Sequence, residues 1–403
     1  MSVTQTRTVR ARARTLSLIA PRGGPSFATL PVELTLDILE LVLLSSTSPS
    51  SGISQKSISS YGHQQSVAVT LATISRYITT LLNQILYRSV VLSTPRAVSL
   101  FARTVRSKDP SFFAAQVKRL SITSQASSTR PLASTGFFTA ITRGNSRWGE
   151  SGSSNDDLQA ILAACSSAKT LVLPEYALQS FFTLPLSSQS QSQSRHITPP
   201  ELTVGSLSDI HPWMSSPSGH ASEVLNNLTH LRLAEPGDMF VSPSSFLSAL
   251  GPLSHLTHLH LSRRASANED NDIAFVQDCE DVLRRKEGLK MLVVSVFLPF
   301  YYSMTAPALP AGGGADEDAE MREMDEEKAR EATMERECVE SSLWRMLQEL
   351  KAKDERLVII QGQEGAWRKE WEGVRVIANA TGAGDFWVRA KQRAAARARK
   401  TTN

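Results

Sequence analysis

The sequence predicts a mixed α/β chain: a small N-terminal helical unit followed by an irregular solenoid of short helix–turn–strand units. Three observations predict it. Apolar residues recur at helical spacing through 29–92. A hexapeptide of the form apolar-x-x-Leu-x-apolar returns between Val117 and Val294, and helical stretches precede several of its returns. Composition agrees, with 403 residues, 41% hydrophobic and 20% charged. A chain of that length holds roughly two to three domains and at least one sizeable core.

Residues 1–28 carry arginines and hydroxyl residues, and no acid precedes Glu33. A mitochondrial presequence has that composition, but the apolar face is poorly developed, so the segment reads as a disordered basic tail. The first ordered element is TLPVELTLDILELVLL at 29–44. Pro31 suits a first helical turn, where its missing N–H costs nothing, and Glu33 sits where the helix dipole favours an anion. Glu33, Asp37 and Glu40 share one narrow stripe while nearly all other positions are apolar, so this helix needs cover on more than one side. A Ser-rich insertion at 45–60 has no periodicity. A second helical stretch over 66–92 places Leu71, Ile74, Ile78, Leu81, Leu82 and Ile85 at helical spacing and ends in a strand-like run, Val90–Leu92. Another helix is expected at 95–106.

The repeated hexapeptides are Val117–Ile122, Ala168–Leu173, Leu228–Leu233, Leu256–Leu261 and Leu289–Val294. Helix, turn and short strand in recurrence is the pattern of a leucine-rich-repeat solenoid, and the step of 28 residues from Leu228 to Leu256 (256 − 228) fits that class. The other steps are longer. The reading is therefore an irregular leucine-rich-repeat-like α/β domain over 93–388, with disordered insertions at 125–154, 184–222 and 305–320. A charged helix and a last strand at 357–360 follow, and 389–403 is a basic tail. An unrelated α/β domain with parallel strands remains the other reading of the same hexapeptides.

Several function classes find no support. No stretch reaches the ~18 apolar residues of a membrane span; MLVVSVFLPFYY at 291–302 reads as a buried strand entering a loop. The three cysteines, Cys165, Cys279 and Cys338, form no CxxC pair, which argues against cysteine-built zinc sites and a disulfide framework. Each reads as a small core residue in a reducing compartment. The basic tail lacks interleaved aromatics, so nucleic acid is not an expected partner. Asp156 and Asp157 read as a helix cap, and no nucleophile elbow, HExxH motif or Ser-His-Asp arrangement is visible.

Two constellations carry candidate chemistry. In ATGAGDFW at 380–387, Gly382-Ala383-Gly384 is a turn that lets N–H groups approach an anion, with Asp385 beside it as a possible base. The match to the sugar-kinase signature fails at Asn379, and only 18 residues (403 − 385) remain for the helix such a site needs. It reads as a turn. The second constellation lies in THLRL and HLTHLHL. On strands, His258 and His260 face one way, and in register His230 lies beside His258 and Arg232 beside His260. No carboxylate or cysteine joins them at strand spacing, so no metal is expected. The open face of a repeat sheet is where partner recognition sits, which makes His230, Arg232, His258 and His260 the candidates for substrate contact.

The N-terminal residues resemble an F-box. They run Leu30-Pro31-Val32-Glu33-Leu34, Ile38-Leu39, Leu71-Ala72-Thr73-Ile74-Ser75-Arg76-Tyr77 and Leu81-Leu82, on the pattern LPxEL…IL…L…VSR followed by an aromatic residue. The continuation Leu86-Tyr87-Arg88-Ser89-Val90-Val91-Leu92 looks like the LYRxVxL passage of many fungal F-box proteins. So does the end of the chain, with spaced tryptophans Trp367 and Trp371 leading to Asp385-Phe386-Trp387. The sequence departs from the pattern by the Ser-rich insertion and by Tyr77 where tryptophan is commonest. The resemblance implies an F-box-like helical unit over 29–92 that docks a Skp-type adaptor and, through it, a cullin. Leu30, Pro31, Val32, Leu34, Ile38, Leu39, Leu71, Ile74, Arg76 and Tyr77 are the implied adaptor-binding residues. The repeat region would bind an unidentified protein substrate, with no catalytic residue and no cofactor, in the cytoplasm, the nucleus or both. A small three-helix unit buries too little of its own surface to stand alone, which independently implies a docking surface. The alternatives are a non-catalytic repeat scaffold whose first helices only cap the solenoid, and a sugar-kinase-like enzyme using the GAGD turn.

Overall fold

The computed structural model describes residues 30–45, 59–73, 75–123, 153–182, 199–205, 225–237, 240–265, 268–298, 332–373 and 386–402. The chain divides into two compact units, Met1–Leu82 and Asn83–Asn403.

In the first unit, α1 (Val32–Ser45) packs on α2 (Ser59–Ala72), and α3 (Arg76–Arg88) begins. The helical run expected from 66 onward breaks at Thr73–Ser75, because Ser75 Oγ accepts the Ile78 N–H at 3.1 Å and starts a new helix. Thr79 Oγ1 donates to the Ala72 carbonyl at 2.8 Å, tying α3 back to α2. Residues 59 and 60, read as linker, are already helical. Ile78, Leu81, Leu82 and Ile85 are buried along one side of α3.

The second unit is a sheet with helical crossovers. Its elements are β1 (Ser89–Leu92), α4 (Pro95–Ser107), α5 (Pro110–Gln116), β2 (Arg119–Ile122), α6 (Ser153–Ala164), β3 (Thr170–Leu173), α7 (Glu175–Phe182), β4 (Glu201–Val204) and β5 (His230–Leu233). After these come α8 (Pro243–Leu250), β6 (His258–Arg264), α9 (Glu269–Arg285), β7 (Met291–Phe297) and a helix over 332–340 (α10). The chain closes with α11 (Ser342–Lys353), β8 (Leu357–Gln361), α12 (Ala366–Gly373) and α13 (Phe386–Thr402). Three helices start on a capping side chain followed by proline, at Thr94-Pro95, Asp109-Pro110 and Ser242-Pro243. In each, the side-chain oxygen accepts a free N–H of the first turn, and proline takes a position that needs no donor. Asn268 and Ser341 cap α9 and α11 in the same way, and α9 begins on Glu269, Asp270 and Asp272 and ends on Arg284 and Arg285, as its dipole favours.

All eight strands lie in one sheet in the order β1 to β8, each parallel to its neighbours. The five hexapeptides fall on β2, β3, β5, β6 and β7, with their key leucines pointing into one continuous core. Leu120, Leu171, Leu231, Leu259 and Leu292 are buried there in register. Buried thiols complete this core: desolvation pushes Cys165 and Cys338 up to about 12 and Cys279 higher still, which disfavours the thiolate.

This architecture corrects the expected fold class. The expectation was an F-box-like helical unit followed by a repeat solenoid; the structure is an α/β fold on a single eight-stranded, all-parallel sheet. The α/β character alone carries over. Five of the seven crossovers run 24 to 27 residues, and those at 123–169 and 298–356 run 47 and 59. The sheet is also covered on both sides over part of its width. Behind the main core, Val293, Val358 and Ile360 pack against Phe386, Trp387 and Ala390, and Val172 and Ala234 pack against Trp367. Strands buried on both faces are the mark of a covered parallel sheet. The insertion read over 184–222 contains β4, and the tail read from 389 onward belongs to α13. Of the insertion read over 125–154, residues 153 and 154 already belong to α6; its remainder, the insertion at 305–320, the turn at 382–385 with Asp385, and the basic segment 1–28 lie outside the described residues.

Candidate functional site

Two places gather the residues that the sequence singled out. The first is α1. Its inner stripe, Thr35, Leu39 and Leu43, is buried at i, i+4 and i+8. Its outer stripe, Leu34, Ile38, Leu41 and Val42, is exposed at i, i+4, i+7 and i+8, with Leu41 at 62%. Thr35 tolerates burial because its Oγ1 donates to the Pro31 carbonyl at 3.2 Å. Leu30, Val32 and Tyr77 are exposed as well, as are Pro31 and Arg76, and Leu71 is half-buried. Of the ten residues expected to contact an adaptor, Leu39 alone is fully buried, and Ile74 lies outside the described residues. Leu41, Val42, Val69 and Leu86 are exposed apolar residues that the motif did not include.

This exposure is concentrated. Twelve large hydrophobic side chains stand exposed among the described residues, and nine lie between Leu30 and Leu86; the others are Leu100, Ile273 and Val388. Isolated exposed leucines are ordinary, but four large apolar side chains on one stripe of a single helix make a candidate interaction site.

The second place is the sheet face that carries His230, Arg232, His258 and His260. The register pairs His230 with His258 and Arg232 with His260. The face is only partly open, which corrects the expectation of a fully exposed recognition surface: His230 and His258 are half-buried, and Arg232 and His260 are buried. The two imidazoles of His230 and His258 stack at 4.2 Å, and Trp387 lies 5.5 and 5.2 Å from them. Phe386 sits 3.7 Å beneath the Arg232 guanidinium and 4.7 Å from the His260 ring. Arg232 is 6% exposed and bonds Glu370 of α12 at 2.7 Å; His260 is 1% exposed and bonds Ser295 Oγ through Nε2 at 2.6 Å. Burial, with the Arg232 charge second, holds the His260 pKa well below its usual 6.5, so the ring is neutral. A macromolecular partner cannot reach Arg232 and His260 while α12 and α13 are in place, whereas His230 and His258 keep part of their surface exposed.

The cover was readable in part. Phe386, Trp387, Ala390 and Ala394 fall at i, i+1, i+4 and i+8, an apolar stripe on an otherwise basic helix. The charge of the segment hid the stripe. Trp367 fills the space above Gly205, where an added Cβ would stand 2.7 Å from its ring. No group of three or more metal-ligating side chains comes together among the described residues, and no helix there is long and apolar enough to cross a membrane. Comparison of the chain with family models, with curated proteins and with solved structures finds no match.

Proposed function

We propose that this chain is a substrate-receptor subunit of an SCF-type cullin–RING ubiquitin ligase. In this reading α1, the start of α3 and the residues between them dock a Skp-type adaptor, and surfaces of Asn83–Asn403 hold a protein target. The chain performs no chemistry of its own; it raises the effective concentration of the target near a separate catalytic module. The observation that carries the reading is the outer stripe of α1, four large apolar side chains left exposed on a helix whose neighbouring stripe is buried. It stands in the same residues that carry the F-box resemblance, and truncating a well-packed anchor of this kind removes about 1–2 kcal/mol or more of binding. With Arg232 and His260 buried and His230 and His258 half-buried, the target falls mainly to other surfaces of the second unit.

A pull-down with purified Skp-type adaptor tests this. The variant L34A/I38A should fold as the wild type, because both side chains are exposed, and should recover less than a tenth of the adaptor. Recovery of the adaptor in equal amounts by both proteins, or by neither, refutes the reading in favour of a scaffold.

A further inference from the structure

A cavity of about 810 Å³ lies between the polar face of the sheet and the helices α10, α12 and α13. That volume is in the range of small-molecule sites, about 300–1,000 Å³. Three side chains on its wall are buried and keep a polar atom without a partner among the described residues: Arg232 Nε, His260 Nδ1 and Trp367 Nε1. Buried polar atoms are paired in the great majority of cases, and three orphans on one wall call for an occupant. A guanidinium Nε–H and an indole N–H can only donate. When Ser295 donates its hydroxyl proton to His260 Nε2, the neutral ring carries its own hydrogen on Nδ1 and becomes a third donor. The wall thus asks for an acceptor.

Charge narrows the class. Three guanidinium groups line the cavity, Arg232, Arg393 and Arg397, against two carboxylates, Glu335 and Glu370. Glu370 pairs with Arg232 at 2.7 Å and Glu335 with Arg397 at 3.1 Å. Arg393 is left with no ion pair among the described residues, so the lining balances one negative charge and not a polyphosphate. The remaining wall is largely apolar, with Phe297, Ile360 and Phe386 prominent. We infer that this cavity binds a small organic monoanion, a carboxylate on an apolar body, with the carboxylate accepting from Arg232 and Trp367 and drawn in by Arg393. The site uses residues of Asn83–Asn403 alone and does not rest on adaptor docking.

Calorimetric titration of the full chain at constant ionic strength and near-neutral pH tests the inference. The probes are benzoate and 3-phenylpropionate, their neutral amides, and inorganic phosphate. At least one carboxylate should bind saturably with one site per chain, and its amide and phosphate about tenfold or more weaker, since the charged acceptor is what the donors select. R232Q breaks a buried ion pair and can fail to fold, so R393Q carries the mutational test. Its side chain is exposed at the rim, so it should keep the wild-type melting temperature and lose about tenfold in carboxylate affinity. Absence of saturable carboxylate binding, equal binding of acid and amide, or unchanged affinity in R393Q would each overturn the proposal.

Discussion

Helices α1 and α13 have similar ingredients and different fates. Each carries apolar side chains wider than a single core stripe, with charge on the rest of its surface. On α13, Phe386, Trp387 and Ala390 are buried against the sheet while Lys391 and Arg399 are exposed. On α1, one apolar stripe is buried and a second stays exposed. Amphipathic pattern therefore reports that a helix needs cover, and says nothing of where the cover comes from. The source depends on whether the same chain offers a complementary surface. For α13 that surface is a row of imidazole and guanidinium groups, which aromatic rings cover well through stacking and cation–π contact.

The largest effect should separate the two helices by stability. Trp387→Ala removes a side chain 4% exposed that touches Phe386, His230 and His258. Large buried aromatics cost about 3–5 kcal/mol when truncated. Leu34→Ala, on the outer stripe, should stay within about 0.5 kcal/mol of wild type. Urea unfolding of both variants measures the difference, and comparable losses would erase the distinction between a covered and an uncovered helix.

A smaller effect sharpens the same contrast through pH. His260 is buried and neutral, with its pKa held well below 6.5 by desolvation first and by Arg232 second. Below pH 6.5 the unfolded chain takes up a proton there that the folded chain refuses. The stability associated with His260 is complete above that pH and is lost as the pH falls, at up to about 1.4 kcal/mol per pH unit for one proton. His260→Gln should flatten the profile by that amount. An unchanged slope in the variant would mean that α13 does not keep the ring from water.

These contrasts also explain what was legible beforehand. Five strands were read from the hexapeptides because Leu120, Leu171, Leu231, Leu259 and Leu292 all point into one core, and such placement leaves a periodic trace. β4 left almost none: Glu201-Leu202-Thr203-Val204 is four residues long, sits between Pro200 and Gly205, and follows a Ser/Gln-rich stretch. The apolar side of the sheet and the pairing of His230 with His258 and of Arg232 with His260 were therefore visible, and the burial of the polar side was not. Its histidines and Arg232 read as solvated because burial of polar groups depends on partners distant in sequence, here Glu370, 138 residues away, and Ser295, 35 away. For the same reason Trp367 and Trp387 could be seen as aromatic residues but not assigned to the faces they cover. On α1 the number of apolar sides was evident, and the identity of the exposed one was not, since i, i+4 spacing holds for Leu34-Ile38 and Leu39-Leu43 alike.

The smallest effect on stability is the sharpest test of α1 itself. Leu41 is the most exposed residue of the outer stripe and belongs to no core cluster among the described residues. Leu41→Gln keeps a good helix former, so stability should move by less than about 0.5 kcal/mol. If Leu41 instead contributed to a core through neighbouring chain, burying a glutamine amide without partners would cost about 1–3 kcal/mol, and the variant would melt distinctly earlier. The adaptor pull-down adds the second half of the test. A surface kept apolar for a partner should lose affinity on this change while its melting temperature holds. A surface apolar for no purpose should lose neither, and only the first outcome sustains the contrast with α13.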